Sequence, residues 1–201
     1  MPDDLQALLN KIPTAGDGDI VTKQYHNSIR DTLAAIVTQL GIRPTSQTVT
    51  VGIAPMFLRS DPQVDTWNQL FGSVSNPASS SALVDGWLPI QLPSGVNIQS
   101  MTVSGQRKGT VQVFQVQLVR QRISDASLKA LIPMSLENEA NPFQKTAFVQ
   151  ASGSDLANLD DYKLVNNTTY KYLITARLAG LTALPADVVR IDGLQVVYTS
   201  S

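Results

Sequence analysis

Tyr170-Lys171-Tyr172-Leu173-Ile174-Thr175-Ala176-Arg177-Leu178 places Tyr170, Tyr172, Ile174, Ala176 and Leu178 on one phase and Lys171, Thr175 and Arg177 on the other. A period of two with one apolar phase is the pattern of a strand with one buried face. Further on, Val189 and Ile191, then Leu194, Val196 and Tyr198, repeat the pattern, and Gly193 marks a bend or bulge between them. Working backward, strand patterns are predicted at 48–53, 87–92, 96–103, 110–121 and 146–150, with a turn at 105–109. In the fourth of these Val111 and Val113 lie on one phase and Phe114, Val116 and Leu118 on the other, which predicts a β-bulge near Val113. The Ser-rich stretch 72–86, poor in large apolar groups, reads as a long surface loop, and 125–132 as one or two helical turns stopped by Pro133. Short strands separated by Gly, Pro, Ser and Asn imply a mainly β fold, an antiparallel β-sandwich or jelly roll. Nothing alternates strand with long helix, which argues against a parallel α/β fold.

The first forty-odd residues read differently. Leu5, Leu8, Leu9 and Ile12 share one stripe of a short helix, with Asp3 and Asp4 at its positive end and Pro13 beyond it. After a Gly/Asp loop, Thr22 is a natural N-cap, and Tyr25, Ile29, Leu33, Ile36 and Leu40 recur at spacings of four, four, three and four. Gly41 and Arg43-Pro44 end the pattern. About 18 helical residues make a rod of roughly 27 Å. Lys23, Asn27, Arg30, Asp31, Thr38 and Gln39 occupy the other side, so the narrow seam packs on the first helix, on the β region, or on sister copies as a short bundle. The expected organisation is a helical anchoring or oligomerisation segment at 1–43 and a β-sandwich body at 44–201.

Composition narrows the function. Hydrophobic residues are 43% of the 201, enough for a real core, but charged residues are only 15%, below the roughly 25% usual for soluble domains. Uncharged polar groups fill the gap, with 16 Gln, 18 Ser and 16 Thr. A net charge of −1 offers no electrostatic footprint for nucleic acid or an anionic membrane. The acidic N-terminus is unlike a signal peptide, and no apolar run reaches the roughly 20 residues that span a bilayer. The expectation is a soluble protein made in the cytoplasm. Without cysteine there is no disulfide, thiolate metal site or Cys nucleophile, and one histidine excludes a multi-His metal site.

Candidate chemistry is sparse. His26 lies off the helical seam with no G-x-S-x-G elbow elsewhere, so it reads as a solvated or interface residue. Gly16-Asp17-Gly18-Asp19 lacks the further ligands of a calcium loop and reads as helix-capping chemistry. Asp155, Asp160 and Asp161 contain the makings of a carboxylate pair for glycoside cleavage, but turns favour Asp without any catalytic role. Asn166 and Asn167 each open an N-x-Thr sequon, read as turn chemistry. Trp67, Phe71 and Trp87 border the Ser-rich loop; exposed, such rings stack on sugars, and buried, they are core. The expectation is no cofactor, no metal and no enzyme activity, with Trp67 and Trp87 as the glycan-binding candidates and core as the competing reading.

Gly18-Asp19-Ile20-Val21-Thr22-x-x-Tyr25-His26-Asn27-x-x-Arg30-Asp31-x-Leu33 resembles an N-terminal segment of tailed-bacteriophage structural proteins, where a G-D-x-I-T-x-x-x-H-N-x-L-x-D-A-L phrase opens a helix ahead of a β-rich body. The chain departs from it with Ile29 and Thr32 at two of the usual positions, and the helix pattern survives both. The run from Leu92-Pro93-Ser94-Gly95 to Tyr198 is similar to β-sandwich domains on phage fibres, baseplates and capsid surfaces. The resemblance implies a non-enzymatic virion protein, commonly homotrimeric, with other virion proteins as partners. A homotrimeric fibre or baseplate appendage joined through Tyr25, Ile29, Leu33, Ile36 and Leu40 is the leading expectation. A capsid decoration protein, or a carbohydrate-binding module recognising host-surface glycan, is the alternative.

Overall fold

The computed structural model describes residues 46–77, 83–151, 159–180 and 188–200, with 29, 31–33, 35 and 36 near the N-terminus and only the backbone of Asp160 and Asp161. The chain divides into two compact units, Met1–Thr45 and Ser46–Ser201. In the first, the described residues between Ile29 and Ile36 are all helical, as the seam predicts; Ile29 and Ile36 are half-buried and Leu33 is exposed. Tyr25 and Leu40, like His26, Asp17, Asp19 and Asp155, lie outside the described residues.

The second unit is an antiparallel sandwich. Among the described residues its strands are β1 (Gln47–Ile53), β2 (Asn68–Leu70), β3 (Ser73–Ser75), β4 (Leu83–Ile90), β5 (Asn97–Arg107), β6 (Val113–Arg122), β7 (Leu128–Ser135), β8 (Phe143–Phe148), β9 (Tyr170–Ala179) and β10 (Val189–Ser200), with a short helix α1 (Leu159–Lys163) before β9. One sheet runs β2-β3-β10-β5-β8, with β1 also paired to β10; the other runs β4-β9-β6-β7.

The two late strands behave as their sequence predicts. Tyr172, Ile174, Ala176 and Leu178 of β9 are buried, as are Val189, Ile191, Leu194, Val196 and Tyr198 of β10. The ladder between β10 and β5 shifts register between Ile191 and Gly193, leaving Asp192 as the extra residue of a bulge at the predicted glycine. Gly105 of β5 faces this strand so closely that a Cβ there would lie 2.1 Å from the Arg190 carbonyl oxygen. Only glycine permits that approach.

Three local readings are corrected. The Ser-rich stretch is not one loop: it holds β3, whose Val74 is fully buried, and the first half of β4. Residues 125–132 do not turn into helix but start β7, and Pro133 sits inside that strand. The proline is tolerated because β7 pairs only with β6 and lies at a sheet edge, so its missing N–H removes no ladder bond on the other side. The predicted bulge near Val113 is absent, since β6 and β9 pair without a shift from Val113 to Arg122; Val111 precedes the strand and is buried from its own loop. The irregularity lies instead between β6 and β7 at Leu118/Val119, where Leu131 is the extra residue.

Aromatic rings tie the layers together. Phe57 packs on Trp67 at 5.9 Å between centroids, Trp67 on Phe114 of β6 at 6.3 Å, and Phe114 edge-on to Phe143 of β8 at 5.7 Å. Such pairs add to the area they bury. Trp67 satisfies its indole N–H by donating to the Ala176 carbonyl at 3.1 Å.

Candidate functional site

The sheet β4-β9-β6-β7 turns one phase of side chains into the core and the other away from it, and cross-strand register sets the outward phase in rows. Asp85 of β4 lies opposite Arg177 of β9, which lies opposite Gln115 of β6. In the next row Trp87 faces Thr175 and Thr175 faces Gln117; beyond that Pro89 faces Leu173; and Lys171 faces Gln121, with Leu128 of β7 across from it. These rows line an open groove of about 1120 Å³, the size of a large ligand site. Gln115, Gln117, Lys171, Thr175 and Arg177 direct no side-chain hydrogen bond or ion pair to another described residue. Their donors and acceptors are thus available to a ligand.

Trp87 forms the groove wall. The segment 57–60 runs beside β4 and bonds to it both ways, Leu58 N–H to the Trp87 carbonyl at 2.8 Å and Trp87 N–H to the Leu58 carbonyl at 3.0 Å. The Trp87 indole N–H donates to the Arg59 carbonyl at 3.2 Å, which holds the half-buried ring at the groove edge. Gly86 lets this wall form from behind, because a Cβ on it would meet Phe57 Cβ at 2.7 Å and Trp67 Cδ1 at 3.1 Å.

The far end is built by the turn before β9. Asn166 Oδ1 accepts from Thr168 N–H at 3.1 Å, Thr168 Oγ1 at 2.6 Å and Thr169 N–H at 3.2 Å, an Asx turn. That turn is the role of the first sequon residue. Asn167 Nδ2 donates to the Leu92 carbonyl at 2.8 Å and joins the lining. Tyr170, also in the lining, lies with its ring centroid 4.5 Å from the Arg120 guanidinium carbon, and the Tyr162 ring lies 4.6 Å from the same atom. Arg120 Nη1 donates to the Tyr162 carbonyl at 3.3 Å. A cation shared by two rings helps to hold Tyr170 in place. Burial pushes the Tyr172 hydroxyl above its ordinary value, and the hydrogen bond it accepts from Asn166 N–H at 2.9 Å opposes that shift in part.

The two tryptophans expected at a glycan site are separated by the fold. Trp67 is only 2% exposed and has no face left for a sugar ring, which corrects its place among the binding candidates; Trp87 lines the groove. Phe71 is neither core nor groove but stands fully exposed at the β2–β3 turn. Asp160 and Asp161 belong to α1 and not to a turn between strands. No three His, Asp or Glu side chains come together to hold a metal among the described residues, and no described helix is long and apolar enough to cross a membrane.

The groove glutamines and Arg177 escape a reading for catalytic motifs. The signal was nevertheless present: Gln115, Gln117 and Gln121 share the phase opposite Phe114, Val116 and Leu118, as Thr175 and Arg177 do against Ile174 and Ala176.

No protein-family model matches the sequence, and no curated protein matches it. Among solved structures the chain is similar to a xylan-binding module CBM15, with a TM-score of 0.46 and 10% identity over 76% of this chain and 96% of that one. It is also similar to a chain in the structure of infectious bursal disease virus Gx strain, with a TM-score of 0.32 and 9% identity over 77% of this chain. That second likeness spans 33% of the viral chain.

Proposed function

We propose that the chain is a non-enzymatic binding protein whose sandwich recognises a glycan on the outward face of β4-β9-β6-β7. The observation that carries this reading is the groove itself, in which Trp87 stands beside in-register rows of unengaged Gln, Thr and Arg side chains. Sugars present apolar ring faces edged by hydroxyls, and an aromatic wall with amides in fixed positions answers both. The described lining holds one carboxylate, Asp85, whereas glycoside hydrolysis takes two. Binding without turnover fits that count.

We further propose that residues 1–43 attach this module as a homotrimeric appendage of a tailed-bacteriophage particle, a fibre or baseplate component. Support comes from the resemblance at residues 18–33 and from Leu33, which keeps 52% of its surface open on the helical seam. The test is a glycan array probed with the full chain, together with antibody labelling of intact particles. The reading expects glycan binding, at least about tenfold weaker for Trp87→Ala, the loss typical of an aromatic hot spot, and label at the tail. No binding to any glycan, with label over the head, would replace it with a capsid decoration role.

A further inference from the structure

We infer that the groove takes a linear, carboxylate-bearing glycan lying along β9, with its acid groups at Arg177 and Lys171 and its neutral ring faces between them. This rests on the glycan reading above and specifies the ligand. The outward side chains of β9 run Lys171, Leu173, Thr175, Arg177, and six residues of strand separate the two cations by about 20 Å. The middle of that span is uncharged, formed by Trp87, Pro89, Leu173, Thr175 and Gln117.

Charge in the groove runs against the molecule. The whole chain carries −1, but among the described residues the lining holds two cations against one acid. Asp85 has turned Oδ1 to the N–H of Gly86 at 2.8 Å, and neither Lys171 nor Arg177 is ion-paired among the described residues. A neutral chain seated here covers both cations and offers them no counter-charge. A uronic-acid chain supplies one at each end. Arg177 presents a planar fork suited to two-pronged binding of a carboxylate, with the Gln115 amide next to it in register. Lys171 acts as a point charge beside Gln121.

The test uses the full-length protein and a panel of uronic-acid polysaccharides, including polygalacturonate and alginate, each paired with its carboxyl-reduced neutral form. Binding is measured by calorimetry at low and high salt. The acid form is expected to bind about five- to tenfold tighter at low salt, the range for two solvent-exposed charge contacts, with the gap closing as salt rises. Lys171→Gln with Arg177→Gln removes that gap while the melting temperature holds, and Trp87→Ala weakens both forms. Equal binding of acid and neutral forms, or binding to neutral forms alone, overturns the acidic ligand and leaves the glycan groove standing. Failure to bind any member of the panel overturns the acidic ligand, and failure on the glycan array as well overturns the glycan groove.

Discussion

At the scale of single residues, the two tryptophans divide the labour of the sandwich. Trp67 is enclosed between Phe57 and Phe114 with its N–H satisfied, so Trp67→Ala is expected to cost about 3–5 kcal/mol in a denaturant titration, the range for deleting a buried aromatic ring. Trp87→Ala removes a half-buried groove wall and should leave the unfolding midpoint nearly in place. Gly86 shows how one hydrogen atom can matter to both: Gly86→Ala sets a Cβ 2.7 Å from that of Phe57. The expected loss is about 1–3 kcal/mol from overpacking, read as a lower urea midpoint at unchanged slope. Tyr172 gives a pH dependence. Its hydroxyl is held neutral above the ordinary tyrosine value, so the folded state holds the proton over a range where the unfolded chain releases it. The stability this contributes is complete below about pH 10 and declines above it as the buried hydroxyl ionises. Melting temperatures taken upward from pH 9 should fall, and Tyr172→Phe should flatten that part of the fall.

Secondary-structure elements show where alternation is readable and where it is hidden. β9 and β10 are plain in the sequence because each has one buried face and one open face over many residues. β3 is hidden because three residues with a single apolar group, Val74, cannot display a period. β7 is hidden for a different reason. Its bulge puts Leu131 and Ile132 side by side in the core, which breaks the alternation and imitates a helical cluster. Between β3 and β10, the fully buried Asn76 works as an adaptor: its Oδ1 accepts the Val189 N–H at 2.8 Å, and its own N–H bonds the Val189 carbonyl at 3.1 Å. Asn76→Ala strands one buried donor and should cost about 1–3 kcal/mol by chemical denaturation. The helical seam makes its own prediction. Changing Ile29, Leu33 and Ile36 together to Gln should turn three chains per particle into one by light scattering, and a stable wild-type monomer would refute the trimer.

For the whole molecule, the sequence revealed the fold class but not the site. Fold class follows from local period, and local period survives without partners. The groove depends on register between strands far apart in the chain: Trp87, Thr175 and Gln117 meet only because β9 lies between β4 and β6. Nothing near any one of those residues announces the other two. Gln115, Gln117 and Thr175, part of the surplus of Gln, Ser and Thr in the composition, are set in rows on this sheet face. The charge count also looks different at this scale, since a nearly neutral chain places Lys171 and Arg177 in a groove whose described lining holds a single acid.

The most direct test of a glycan groove walled by Trp87 is an NMR titration of the folded protein with a binding oligosaccharide, following its two tryptophan indole N–H signals. The Trp87 signal should move, together with the backbone amides of Gln115, Gln117, Thr175 and Arg177, while the Trp67 signal, bonded to Ala176 inside the core, stays fixed. A titration in which the Trp87 signal stays still while residues of the β10-β5 sheet shift would contradict the account.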